Sequence, residues 1–201
     1  MADFLAKIGL DKLERALVYG VILAVILAIL AKGFAPLDYQ WLTFFVRWLH
    51  VLSGVMWIGL LWYFNFVQIP SMPKIPDEQK PAISKVIAPE VLFWFRWAAL
   101  ATVVTGLLLA LLNGYLVSAL MLGIGGGGKA TAIGIGMWLG LIMAYNVWMI
   151  IWPSQQKALG MVDASPDEKK AAARIAMLTS RTNTMFSIPM LYFMVAAQNI
   201  F

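Results

Sequence analysis

An all-α membrane protein, a polytopic bundle of about five transmembrane helices, is the fold class predicted by three observations. Hydrophobic residues make up 62% of the 201 residues and charged residues only 12%, and a chain of that makeup turns its apolar surface to lipid. The apolar residues gather into five blocks near the length of about 20 that a spanning helix needs. Lysine and arginine crowd the segments on one side of those blocks.

The first block, 16–32, lies between Arg15 and Lys32, whose stems can run along apolar surface until the charge reaches water. Asp3, Asp11 and Glu14 dilute the positive region that a signal peptide requires, and no small-x-small cleavage pattern precedes Lys32, so an uncleaved anchor is expected. The second block, 41–67, carries the only histidine. Between it and the third block, 91–112, stand Pro70, Pro73, Pro76, Pro81 and Pro89. Those prolines exclude one continuous helix and permit a short one after Pro81. The run Gly123–Ala130 imitates a phosphate loop through Lys129, then offers Ala130 where a magnesium-binding hydroxyl is needed. Thr131 comes one position late and no strand precedes the run, so a flexible loop and no nucleotide are expected. The fourth block, 131–152, holds Gly136 and Gly140, a four-residue spacing that lets helices approach closely. Ser165-Pro166-Asp167-Glu168 reads as a capping box with proline at the first helical position. It predicts an amphipathic cytoplasmic helix over 166–181, lying along the membrane surface. The fifth block, 185–201, is short and can extend inward through the helix that precedes it. Residues 1–201 are thus expected to form a single membrane domain without internal repeats.

Orientation follows from the cations. Lys7, Lys12 and Arg15, then Lys74, Lys80 and Lys85, then Lys157, Lys169, Lys170, Arg174 and Arg181 fall on one side, against Lys32 and Lys129 on the other. The positive-inside rule then puts the N-terminus in the cytoplasm and, after five crossings, the C-terminus outside. Tyr39, Trp41, Trp94, Trp97 and Trp152 sit at segment ends, as interfacial aromatic belts do. The net charge of +5, spread over loops, points to the lipid bilayer as partner and not to nucleic acid. The chain has no cysteine, which removes disulfides, thiolate catalysis, iron–sulfur ligation and c-type haem attachment from its chemistry.

His50 is the candidate for chemistry, because an ionisable group inside a membrane segment is by default a functional site. Arg47, His50, Gly54, Trp57 and Leu61 share one helix face. His50 stands about nine residues into its helix, roughly 13 Å deep. One reading makes that face a seat for a flat ligand: His50 coordinates haem iron, Gly54 leaves room for the porphyrin, and Arg47 pairs with a propionate. The other makes His50 a packing residue, hydrogen-bonded to Thr102 or Thr105 on a neighbouring helix, with Arg47 reaching outward. A second axial ligand would come from methionine, water or another subunit. Met143, Met190 and Met194 fall near the depth of His50, where packing competes with ligation, and Met190 with Met194 is a sparse Cu(I) set. Glu90 and Arg96 are placed to form a local ion pair. A transporter would need more intramembrane carboxylates than this chain has.

The stretch from Phe45 to Gln68, FVRWLHVLSGVMWIGLLWYFNFVQ, and the stretch from Arg181 to Met194, RTNTMFSIPMLYFM, resemble the N-terminal membrane domain of bacterial membrane-anchored urate oxidases. The resemblance implies a haem b-associated helical bundle that, in longer relatives, precedes a c-type cytochrome domain and passes electrons from urate to the respiratory chain. Onto this sequence it carries His50 and Arg47 alone. The chain has no Cys-x-x-Cys-His and is expected to be a stand-alone form. Two functions remain open at this point. One is a urate oxidase-like membrane redox component working with a separate c-type cytochrome. The other is a non-catalytic accessory subunit packed against a larger membrane complex.

Overall fold

A computed structural model describes residues 1–34, 36–124 and 127–201, with the side chains of Ala2, Asp3 and Lys32 outside that description. The described residues form helices and connecting turns, with no strand among them. They divide into two units, Met1–Leu42 and Thr43–Phe201.

The first unit holds α1 (Ala2–Lys7), α2 (Leu13–Lys32) and the first turn of α3 (Tyr39–Lys74). Gly9 takes a φ of 82°, a left-handed turn that needs glycine, and the Tyr19 hydroxyl donates to the Ile8 carbonyl at 2.8 Å. Asp38 accepts from the Trp41 amide at 2.8 Å and so caps the start of α3. The suggested role of Lys32 as a snorkelling residue lies outside the described residues.

The second unit contains the rest of α3, then α4 (Lys80–Leu112), the short α5 (Leu116–Leu120), α6 (Gly127–Ala158) and α7 (Pro166–Asn199). Four helices among the described residues are long and apolar enough to cross a membrane: Leu13–Ala31, Tyr39–Lys74, Lys80–Leu112 and Gly127–Ala158. At 34 residues α7 is also long enough, but Thr182, Asn183, Thr184, Ser187, Gln198 and Asn199 dilute its apolar stretch. The expected surface helix 166–181 and the expected fifth span 185–201 are this one continuous helix. The capping box that starts it is present, with Ser165 Oγ accepting from the Glu168 amide at 3.3 Å and Glu168 Oε2 from the Ser165 amide at 2.7 Å.

Three helices outrun the boundaries read from hydropathy and pass through prolines. Each contains a widened π turn, over Tyr63–Gln68, Ile83–Ile87 and Asn146–Ile151, and each turn ends two residues before a proline: Pro70, Pro89 and Pro153. A proline in a helix lacks the N–H and pushes its ring at the carbonyl four residues back. Widening the preceding turn relieves that clash without ending the helix.

Pairs of contacts fix the helix directions. Arg47 meets Gln198, Trp62 meets Ser187 and Asn65 meets Ser180, so α3 and α7 run antiparallel. His50 meets Thr105 while Phe64 meets Phe95, edge to face at 5.7 Å, making α4 antiparallel to α3. Asn146 lies on Asn183 and Gly136 on Met194, so α6 opposes α7. The core between them is built from Trp57, Leu61, Phe64, Leu92, Phe95, Met143, Val147 and Met190. Of the two glycines expected at a helix contact, Gly136 fits: a Cβ there would lie 3.2 Å from Met194 Cγ. Gly140 faces open space, and the second close approach is at Gly134, where a Cβ would strike the Ala119 carbonyl.

Candidate functional site

His50 is half-buried on α3 and faces α4. Its Nδ1 lies 3.0 Å from the Thr102 carbonyl oxygen and 3.2 Å from Thr105 Oγ1. A carbonyl oxygen only accepts, and the Thr105 hydroxyl already donates to the Ala101 carbonyl at 2.6 Å. Nδ1 therefore carries the proton and divides it between two acceptors. That tautomer leaves Nε2 with its lone pair and no partner among the described residues.

Room for the imidazole comes from a glycine that the sequence reading passed over. A Cβ on Gly106 would stand 2.9 Å from His50 Cε1 and 3.2 Å from Nδ1. Gly54, expected to leave space for a cofactor, instead faces Thr102, and a Cβ there would make an ordinary contact at 3.9 Å with Thr102 Cγ2. The face below it is closed: Trp57 is 1% exposed and Leu61 fully buried. Trp57 and Leu61, expected on the same flat seat, belong to the core.

Arg47 stands one turn away on the same face. Its Nη1 donates to Gln198 Oε1 at 3.0 Å, while its Nε is buried without an acceptor. At this end of the unit burial pushes the Tyr115 hydroxyl above its ordinary pKa, and the nearby Arg47 charge pulls the other way.

The methionines expected near His50 are engaged elsewhere. Met143 and Met190 belong to the core around Trp57, and Met194 packs on Gly136. Among the described residues no group of three or more His, Cys, Asp or Glu could hold a metal ion. Any attachment to iron would rest on a single imidazole. For that the donor set fits, since a metal-bound histidine commonly donates its other N–H to a backbone carbonyl, and Arg47 keeps a free donor for a carboxylate. The expected Glu90–Arg96 pair does not form. Glu90 Oε1 accepts from Trp94 Nε1 at 3.0 Å, and the Arg96 guanidinium lies over Trp152.

At the far end of the unit a polar layer appears that hydropathy alone did not reveal. Asn65 donates to Ser180 Oγ at 2.8 Å and Asn146 to Asn183 Oδ1 at 2.8 Å, and Asn183 donates to the Met143 carbonyl at 3.0 Å. The signal was the polar stripe Ser180, Asn183, Thr184 and Ser187 on one face of α7.

Residues 125–199 match the urate oxidase N-terminal family model. The match takes in α6 and α7 and contains the second of the two motifs on which the resemblance rests. The Phe45–Gln68 motif lies outside it. The urate oxidase N-terminal signature therefore belongs to the α6–α7 pair, which packs against the His50 helix through Trp62–Ser187 and Arg47–Gln198. No curated protein and no solved structure matches the chain.

Proposed function

We propose that this protein is a membrane-embedded redox component of the urate oxidase N-terminal type that binds haem b through His50 Nε2. The observation that carries this reading is the bond from His50 Nδ1 to the Thr102 carbonyl, which fixes the tautomer and frees Nε2. His50 and Arg47 would hold the group, Arg47 with its free Nε–H toward a propionate carboxylate. Gly106 gives the imidazole its place, and Thr102 and Thr105 hold the ring's orientation. Bound haem supplies one-electron transfer. Electrons would leave to a separate c-type cytochrome, and the family match supports urate as their source. The cation distribution supports an inner-membrane protein with a cytoplasmic N-terminus.

The test is the reduced-minus-oxidised absorption spectrum of the detergent-purified protein beside His50→Ala. A b-type signal in the wild type that the variant lacks is the expected result; a colourless wild type overturns the proposal. One observation favours a second reading, a non-catalytic subunit of a larger membrane complex: Trp57 and Leu61 close the face beneath His50. On that reading, co-purification with the larger assembly survives His50→Ala.

A further inference from the structure

Arg96 is a cation inside a helix long and apolar enough to cross a membrane, and no carboxylate meets it among the described residues. Intramembrane cations are kept where something answers their charge. Its Cζ lies 3.2 Å from the centre of the Trp152 ring and 5.8 Å from that of Trp148. Stacking holds the guanidinium plane and leaves its N–H edge unused. Arg96 Nε and Trp148 Nε1 are both buried with no acceptor. Two buried donors left unpaired are costly, and what they lack is an oxygen-rich acceptor.

We propose that Arg96, Trp148 and Trp152 form a binding site for the phosphodiester of an anionic membrane lipid. A phosphodiester offers two unbridged oxygens, one for the guanidinium edge and one for the indole N–H. Its position argues for lipid as the source. Phe93, Trp94 and Trp97 are exposed beside the site, and Trp97 meets Trp148 edge to face at 5.6 Å. Such an aromatic belt marks the headgroup level of a bilayer, and its apolar rings offer an acyl chain a wall. Lys85 precedes Arg96 on α4 and adds attraction for a net negative headgroup, whereas Lys80 is paired with Asp77. The site depends on α4 and α6 lying in a membrane and is independent of haem at His50.

Native mass spectrometry of the full chain, released from detergent with phosphatidylglycerol, phosphatidylcholine or inorganic phosphate, tests the assignment. The wild type is expected to retain phosphatidylglycerol most strongly, and Arg96→Gln to weaken retention about tenfold, the loss of one charge-assisted hydrogen bond. Trp152→Leu is expected to weaken it as well. Arg96→Lys keeps the charge without the planar fork, so a partial loss is expected; it carries the test if Arg96→Gln does not fold. Equal lipid retention by wild type and either Arg96 variant overturns the proposal. Retention of inorganic phosphate in place of lipid, with the same dependence on Arg96, overturns the lipid assignment.

Discussion

Replacing Gly106 by alanine puts a methyl group 2.9 Å from His50 Cε1 and 3.2 Å from Nδ1, so the imidazole must move. The ring is the far end of its side chain and can swing away, and that movement breaks the shared bond from Nδ1 to Thr102 and Thr105. Overpacking costs about 1–3 kcal/mol and the lost hydrogen bond about 1 kcal/mol. Alanine returns at most about 1 kcal/mol through its better helix propensity. The net expectation is a destabilisation of about 1–3 kcal/mol, together with, on the proposed haem binding, a weakened or shifted b-type spectrum, since the ring loses both its tautomer and its direction. Gly54→Ala is the matched control, with a new contact of only 3.9 Å to Thr102 Cγ2. Thermal unfolding in detergent and the reduced-minus-oxidised spectrum, recorded for both variants, make the comparison. A Gly106→Ala protein indistinguishable from wild type, or a Gly54→Ala protein that is the more damaged of the two, would refute the reasoning.

Gly136→Ala should lower the unfolding temperature, because its methyl group meets Met194 Cγ at 3.2 Å and the Met190 carbonyl at 3.4 Å, whereas Gly140→Ala should not; the reverse order would mean that α6 and α7 pack through another face. Asn183→Ala removes the acceptor of Asn146 and the donor to Met143, with an expected cost of about 1–2 kcal/mol measured by unfolding in detergent. Bonds from the Ser165 backbone and side chain hold the Glu168 carboxyl below its ordinary pKa. Its contribution to stability is therefore present above the unfolded carboxyl value and fades as pH falls through the depressed folded value. Glu168→Gln should flatten that part of the pH–stability curve recorded from about pH 7 down to about pH 3, and an unchanged acid limb in the variant would count against the capping box.

What the sequence made legible was set by interactions local in the chain. Hydropathy located the four apolar helices, and Ser165 to Glu168 announced the start of α7, because caps depend on neighbours three residues apart. His50 stood out as the one histidine, and its partners Thr102 and Thr105 were within reach of a depth argument. Gly106 was not, since its importance arises only when α4 lies against α3 at one register. The same holds for the neighbour of Gly54, Thr102, which meets it across the interface only once the register is set. Helix ends were missed at Pro70, Pro89 and Pro153 because a proline's effect depends on whether the turn before it can widen. Arg96 was assigned a carboxylate six residues back, but Trp152 took its guanidinium face from another helix.

At a rise of 1.5 Å per residue, the 34 residues of α7 make a rod about 51 Å long, against a hydrocarbon thickness of about 30 Å. If α7 crosses a membrane, a sizeable part of it projects beyond the apolar zone. Pro189 is its one mechanical weak point, where the Met185 carbonyl loses its usual partner. Pro189 thus stands between the charged end near Glu168 and Gln198, the residue that bonds Arg47.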